Sequence, residues 1–171
     1  MLVINLFAGP GAGKSTTAAQ IFAELKWEGV SVELVTEYAK ELTWAGRKSE
    51  LENQLLVSGM QMQRLRDLDG KVDYVITDSP ILLGAAYTYD YHTRSLLAAK
   101  FYRFENYNII LRRAKPYVTA GRNQTEAEAR NLDSEIEDIF DAYEIPIHEE
   151  FAGTRDNAIK FAYKVLAGKL K

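Results

Sequence analysis

The sequence predicts a three-layer α/β domain: a five-stranded parallel sheet with helices on both faces. Two observations carry that prediction. Short apolar runs of strand length alternate along the chain with segments of helical period, the pattern of strand–helix–strand units with right-handed crossovers. The first run, Leu2 to Phe7, opens straight into a glycine-rich turn, Phe7-Ala8-Gly9-Pro10-Gly11-Ala12-Gly13-Lys14-Ser15-Thr16, and a helical segment leaves it. With 171 residues, 47% of them apolar and 26% charged, the chain fits a single domain, 1–171, with enough material to bury a core.

In chain order, the helix after the turn reaches Trp27, buries Ala18, Ile21, Phe22 and Leu25, and stops at Gly29. Val30 to Thr36 reads as the second strand and ends on Glu37-Tyr38-Ala39-Lys40-Glu41, the start of another helical segment. Glu50 to Leu68 reads as one longer helix, closed by Gly70, with Leu51, Leu55, Met62 and Leu65 on one face. Val72 to Thr77 is the third strand, apolar as a buried parallel strand should be, and it ends on Asp78-Ser79-Pro80. Thr93 to Phe104 reads as helix and Tyr107 to Leu111 as the fourth strand. Residues 112–124 have no apolar period and hold Pro116 and Gly121, so they form a loop. Thr125 and Glu128 make a capping box for a helix carrying Leu132, Ile136, Ile139, Phe140 and Tyr143. Ile145 to His148 reads as the fifth strand, and Asp156 to Leu170 as the last helix.

The glycine-rich turn has the form of a phosphate-binding P-loop. Glycines let successive backbone N–H groups turn toward phosphate oxygens, and the following helix adds its N-terminal partial charge. Gly9, Pro10, Gly11, Ala12, Gly13, Lys14, Ser15 and Thr16 form the predicted ATP cradle; Lys14 reaches the β- and γ-phosphates and Ser15 ligates Mg²⁺. Ala8 stands where the motif has its first glycine, a place farther from the phosphates than Gly11 and Gly13.

Several function classes are excluded or disfavoured. The net charge is −3, so no overall basic field draws the chain to duplex DNA or an anionic membrane. The absence of cysteine excludes disulfides, thiolate catalysis and a Cys-based zinc site. No apolar run approaches the ~18 residues of a spanning helix. The N-terminus enters a strand without a basic leader, so the expected location is the cytoplasm.

In an open parallel sheet, ligands sit beyond the carboxyl ends of the strands. That rule gathers four features on one rim. The P-loop follows strand one and Glu37 follows strand two. Asp78 follows strand three, where a Walker B carboxylate holds Mg²⁺; the alternative is an ordinary helix cap before Pro80. The fourth is the loop at 112–124, with Arg112, Arg113, Lys115 and Arg122 and no acid among them. Such a loop can close as a lid over ATP, with Arg122 the first choice for the transferring phosphoryl group and Arg112 or Arg113 the second. Glu37 points to a hydroxyl acceptor, because phosphorylating an alcohol requires a proton acceptor and phosphorylating a phosphate does not. Its alternative is a first-turn glutamate favouring the helix dipole. Sequence leaves open whether Glu37 or Asp78 is the base.

Tyr38, Tyr89 and Tyr91 are candidate acceptor contacts; Tyr89 and Tyr91 belong to an aromatic group with Tyr87 and His92 that either stacks on a base or simply packs. Gln54, Ser58 and Gln61 form a polar stripe that faces either substrate or water. Gly153 and Thr154, after the fifth strand, fall where nucleotide kinases of this layout wrap the adenine.

The P-loop, VTEYAKEL (Val35 to Leu42), VITDSP (Val75 to Pro80) and KPYVTAGRNQTEAEA (Lys115 to Ala129) together resemble small phage-encoded P-loop kinases of the thymidylate-kinase-like group. Within it the chain is most similar to the bacteriophage 5-hydroxymethyl-deoxyuridine DNA kinases. That resemblance implies a nucleotide-kinase-like P-loop NTPase fold and transfer from ATP, with Mg²⁺, to the hydroxymethyl group of a modified base in DNA, a step in thymidine hypermodification carried out in the host cytoplasm. The Glu-Tyr-Ala-Lys segment also resembles ribosylnicotinamide kinases, and the glutamate after strand two resembles the base of deoxynucleoside kinases. Two other readings stand beside it: a small-molecule kinase for a (deoxy)nucleotide, a nucleoside or ribosylnicotinamide, and a P-loop ATPase switch that transfers phosphate to water alone.

Overall fold

The computed structural model describes residues 1–114, 116–118 and 124–170. Its sheet has five parallel strands in the order β2-β3-β1-β4-β5: β1 is Leu2–Phe7, β2 Val32–Val35, β3 Tyr74–Thr77, β4 Glu105–Arg112 and β5 Glu149–Ala152. The helices are α1 (Lys14–Trp27), α2 (Tyr38–Trp44), α3 (Lys48–Leu51), α4 (Gln54–Leu68), α5 (Tyr91–Phe101), α6 (Glu126–Ala142) and α7 (Arg155–Leu166), with a 3-10 helix at Ile81–Tyr87.

Strand alternation divides β1 between two cores. Ile4 and Leu6 face α1 and α7, packing with Ile21, Leu25, Phe161 and Val165. Val3 and Phe7 face the other layer, where α4, the 3-10 helix, α5 and α6 supply Leu65, Leu82, Leu97, Phe101, Ile136 and Phe140. The Phe7 ring meets Phe140 edge-on at 4.7 Å and Phe101 at 6.2 Å, the arrangement aromatic quadrupoles prefer. β1 is flanked on both sides, by β3 and β4, so the turn that follows it leaves from the middle of the rim.

Three expectations are corrected. The fifth strand is Glu149–Ala152 rather than Ile145 to His148. Pro146 has no N–H to offer a ladder, and its carbonyl instead accepts from the Asn108 side chain at 3.0 Å. Pairing begins only when His148 N donates to Asn108 O at 2.9 Å. The expected single helix from Glu50 to Leu68 is two, because Asn53 stops the first and caps the second, accepting from Leu56 N at 3.1 Å. The helix expected at Thr93 to Phe104 starts earlier and stops earlier, since Asp90 caps it by accepting from Thr93 N at 2.7 Å. The capping box at Thr125 and Glu128 is formed, and accepting from Thr125 holds the Glu128 carboxyl below its usual range. No helix among the described residues is long and apolar enough to cross a membrane.

Candidate active site

The rim of the sheet carries a cavity of about 710 Å³, lined by Gly11, Gly13, Lys14, Ser15 and Thr16 at one end and by Glu37, Lys40, Lys48, Gln54 and Ser58 at the other. That size suits a small-molecule ligand.

At the first end, Gly11 (φ 84°) and Gly13 (φ 98°) take left-handed conformations that a side chain would strain, and Gly13 begins α1. The first turn of α1 contains no acid, so its positive end is left for a ligand. Ala8 buries its methyl in the α1 and α7 core, which explains why that position tolerates it. Lys14 Nζ donates to Ala8 O at 2.6 Å and Gly9 O at 3.2 Å. Burial lowers its pKa, while Glu37, Asp78 and Asp133 pull the other way.

Outside the loop, a brace invisible in the sequence holds it. Asp133 of α6 accepts from Gly9 N at 2.6 Å and from Arg113 Nε at 2.8 Å. Arg113 also donates to Pro10 O at 2.6 Å and Ala129 O at 2.9 Å. Its guanidinium therefore grips the loop's outer backbone. Arg112 lies elsewhere, engaged with Glu150 and Glu137, and these two carboxylates raise its pKa further. Gly153 packs so tightly on the loop that a Cβ there would meet Ala12 O at 2.5 Å, and Thr154 caps α7 by accepting from Asn157 N. The Tyr117 ring lies against Gly11, where a Cβ would meet it at 2.7 Å. Arg122, Lys115 and Gly121 of the expected lid lie outside the described residues.

Asp78 is 3% exposed, and its Oδ1 is the buried side-chain oxygen among the described residues without a hydrogen-bond partner. A buried carboxylate oxygen with no donor is costly unless a ligand completes it. The 3-10 helix after it starts at Pro80, which has no side-chain cap, so the alternative reading of Asp78 as a cap is not what is built. A hard oxygen from Asp78 and the Ser15 hydroxyl fit Mg²⁺, which takes few protein ligands besides phosphate oxygens and water. Among the described residues no cluster of three or more His, Cys, Asp or Glu offers a metal a complete cage, in keeping with that sparse set.

At the other end, Glu37 leaves β2 in an extended conformation and makes no side-chain cap to α2, and it lines the cavity. Its backbone is held from α4. Gln61, 2% exposed, donates to Thr36 O at 3.0 Å and accepts from Tyr38 N at 3.2 Å, bracketing the glutamate on both sides. Arg64 adds a bond to Thr36 O at 3.0 Å, pairs with Glu41 and stacks over the Tyr38 ring at 5.3 Å. One member of the polar stripe thus serves the backbone.

The tyrosines divide. Tyr38 sits under Arg64, and Tyr89 and Tyr91, 88% and 72% exposed, lie away from the cavity wall. Tyr87 lines it. Although 36% of Tyr87 remains exposed, desolvation of the phenol and then the charge of Glu37 push its pKa up. The structure therefore brings Lys14, Ser15, Thr16 and Glu37 to one cavity, with Asp78 behind Lys14, and keeps Tyr38, Tyr89, Tyr91 and Arg112 out of it.

The model of the family described as an AAA domain matches residues 3–157. Among solved structures, deoxyadenosine kinase from M. mycoides with the products dCMP and a flexible dCDP bound aligns at TM-score 0.59 and 19% identity, over 97% of this chain and 99% of that one. The same kinase with dATP bound gives 0.58 and 18%, over 96% and 99%. Shikimate kinase from Bacteroides thetaiotaomicron gives 0.53 and 12%, over 97% and 98%. No curated protein matches the sequence. The likeness is one of fold, a parallel five-stranded P-loop kinase architecture.

Proposed function

The chain belongs to the AAA domain family, and from that premise we propose that it is an ATP- and Mg²⁺-dependent kinase that phosphorylates a hydroxyl of a nucleoside-like acceptor, 5-hydroxymethyluracil in phage DNA. The observation that carries the reading is Glu37: a carboxylate that does not cap its helix, lining the same cavity as Lys14.

The acceptor hydroxyl oxygen attacks the γ-phosphorus in line, the bond from that phosphorus to the β-bridging oxygen breaks, and ADP departs. Glu37 takes the hydroxyl proton as the oxygen–phosphorus bond forms. Lys14 and the amides of Gly11 to Ser15 hold the phosphates, and charge spreading toward the leaving oxygen stays within reach of the Lys14 ammonium. Ser15 and Asp78 would hold Mg²⁺, which would offset the negative charge of the phosphates when bound. Gln61 fixes the backbone on which Glu37 stands.

The acceptor is tested by offering γ-labelled ATP to hydroxymethyluracil-containing DNA, to free 5-hydroxymethyl-2′-deoxyuridine and to its monophosphate. Label on the polymer supports the DNA acceptor; label on a free compound alone rejects it. For any alcohol acceptor, Glu37→Gln should lower kcat by roughly 10²–10⁴-fold with little change in ATP affinity. A nearly unchanged kcat would remove Glu37 from the mechanism. A second reading, a small deoxynucleoside or deoxynucleotide kinase, is favoured by the near-complete mutual coverage with deoxyadenosine kinase, and the same assay separates the two.

A further inference from the structure

We propose that the acceptor of this site carries a phosphate besides its reacting hydroxyl, and that Lys40 and Lys48 grip it at the outer wall of the cavity. The inference rests on the kinase reading; it assigns two residues to a phosphate of the acceptor and excludes a free nucleoside.

Both lysines line the cavity that holds Lys14 and Glu37; they lie on the segment after β2, at the edge of the sheet, whereas the P-loop follows β1 at its centre. Lys40 stands on α2 and Lys48 opens α3, so the two short helices each contribute one ammonium to one wall. Nearby arginines are already neutralised: Arg47 pairs with Glu50, and Arg64 with Glu41. Among the described residues neither lysine joins an ion pair. Glu52, one turn beyond Lys48, and Glu37 also line the cavity. Two unpaired cations facing a concave site, with ATP phosphates assigned to a cradle at the far end, call for a second anionic group. The chain between them adds Trp44, 70% exposed and adjacent to the cavity-lining Thr43. An exposed indole on the segment that joins the two lysines suits stacking on a nucleobase, because every base offers a π-face.

The chemistry required is a phosphate ester on a nucleoside, supplied either by a free 5′-nucleotide or by a single strand of nucleic acid. The net charge of −3 for the whole chain does not oppose this, since a local pair of lysines at the cavity mouth acts within a Debye length of about 8 Å.

The test measures binding to the full chain saturated with a non-hydrolysable ATP analogue. The probes are thymidine, thymidine 5′-monophosphate and single-stranded (dT)10, against the native protein, Lys40→Ala/Lys48→Ala and Lys40→Arg/Lys48→Arg. The phosphate-bearing probes should bind at least tenfold more tightly than thymidine, and the alanine pair should abolish that advantage. The arginine pair should restore it, and ATP-analogue affinity, which reports intact folding, should stay within twofold throughout. With (dT)10, loss of two phosphate contacts should flatten the slope of log K against log salt by about 1.4. A polymer that outbinds the monophosphate identifies nucleic acid as the source; equal affinity identifies a free nucleotide. Equal binding of thymidine and its monophosphate, or an advantage that survives the alanine pair, overturns the proposal. Failure of the kinase reading looks different: lysine-dependent binding persists, while γ-labelled ATP transfers its phosphate to none of the acceptors.

Discussion

The two ends of the cavity are built in different ways. The P-loop end is overdetermined: β1 delivers the loop from the centre of the sheet, Asp133 and Arg113 hold Gly9 and Pro10 from outside, and Gly153 presses on Ala12. The opposite end rests on short helices, with Leu42 the buried residue of α2 and none buried in α3. The turn between them passes through Gly46, beside which a Cβ would meet nothing within 4 Å. Gln61 and Arg64 are what tie this corner to the body, through Thr36 and Tyr38. In the kinase reading, the end that would hold a common group, a triphosphate, is fixed by long-range contacts. The end that would select an acceptor is fixed locally, where change in sequence disturbs the fold least.

That contrast can be broken most forcefully at Gly153. Gly153→Ala sets a methyl against the Ala12 carbonyl, backbone against backbone, so the loop must shift. ATP-analogue affinity should fall by roughly a hundredfold, about 2.7 kcal/mol, as read by titration calorimetry, and an unchanged affinity would mean that the loop yields easily. Next comes Asp133→Ala, which leaves Gly9 N and Arg113 without their carboxylate. Folding stability should drop by about 1.5–3 kcal/mol in urea, with KM for ATP rising; Asp133→Asn, which keeps one acceptor oxygen, should recover part of both. Gln61→Leu sharpens the other side. It removes the partner of Tyr38 N and leaves Thr36 O with Arg64 alone, at a cost of about 1–3 kcal/mol, and it should lower kcat while sparing KM for ATP. A rise in KM for ATP equal to the fall in kcat would show that the ends are not separate.

The smallest effect is in pH. Burial gives Lys14 a folded pKa below the ordinary lysine value of 10.5. Between the lowered value and 10.5 the unfolded chain binds more protons than the folded one, so this lysine's share of stability grows as pH rises through that window. ATP affinity falls over the same range as the ammonium is lost. Urea titrations of the native protein and Lys14→Met at pH 8 and pH 10 check the sign: the difference between them should shift toward the native protein at the higher pH.

How much of this is legible in sequence follows the same division. The β1–loop–α1 unit reads directly, because the glycines, the lysine and the apolar run sit side by side in the chain. The Thr125 and Glu128 capping box reads for the same reason, its partners being three residues apart. β5 does not: an edge strand can carry Glu149 and Glu150, paired with Lys164 and Arg112, and so it has no apolar signature. Asp133 is one acid among many on α6, and only folding aims it at Gly9, 124 residues away in the chain. Lys40 and Lys48 look like solvated charges until α2 and α3 turn them onto a shared wall. Gln61 belongs to a legible polar stripe, yet its bonds to Thr36 and Tyr38 across the sheet edge are tertiary.

Phe7 closes β1 one residue before Ala8, and its ring is wedged against Phe140 and Phe101 from two different helices. Close-packed interiors transmit displacement rather than absorb it. A single aromatic side chain therefore couples the α5–α6 layer to the loop that follows β1. In the kinase reading, nucleotide affinity measured by titration should be more sensitive to substitution of Phe7 than to that of an apolar residue in the opposite layer, such as Leu25.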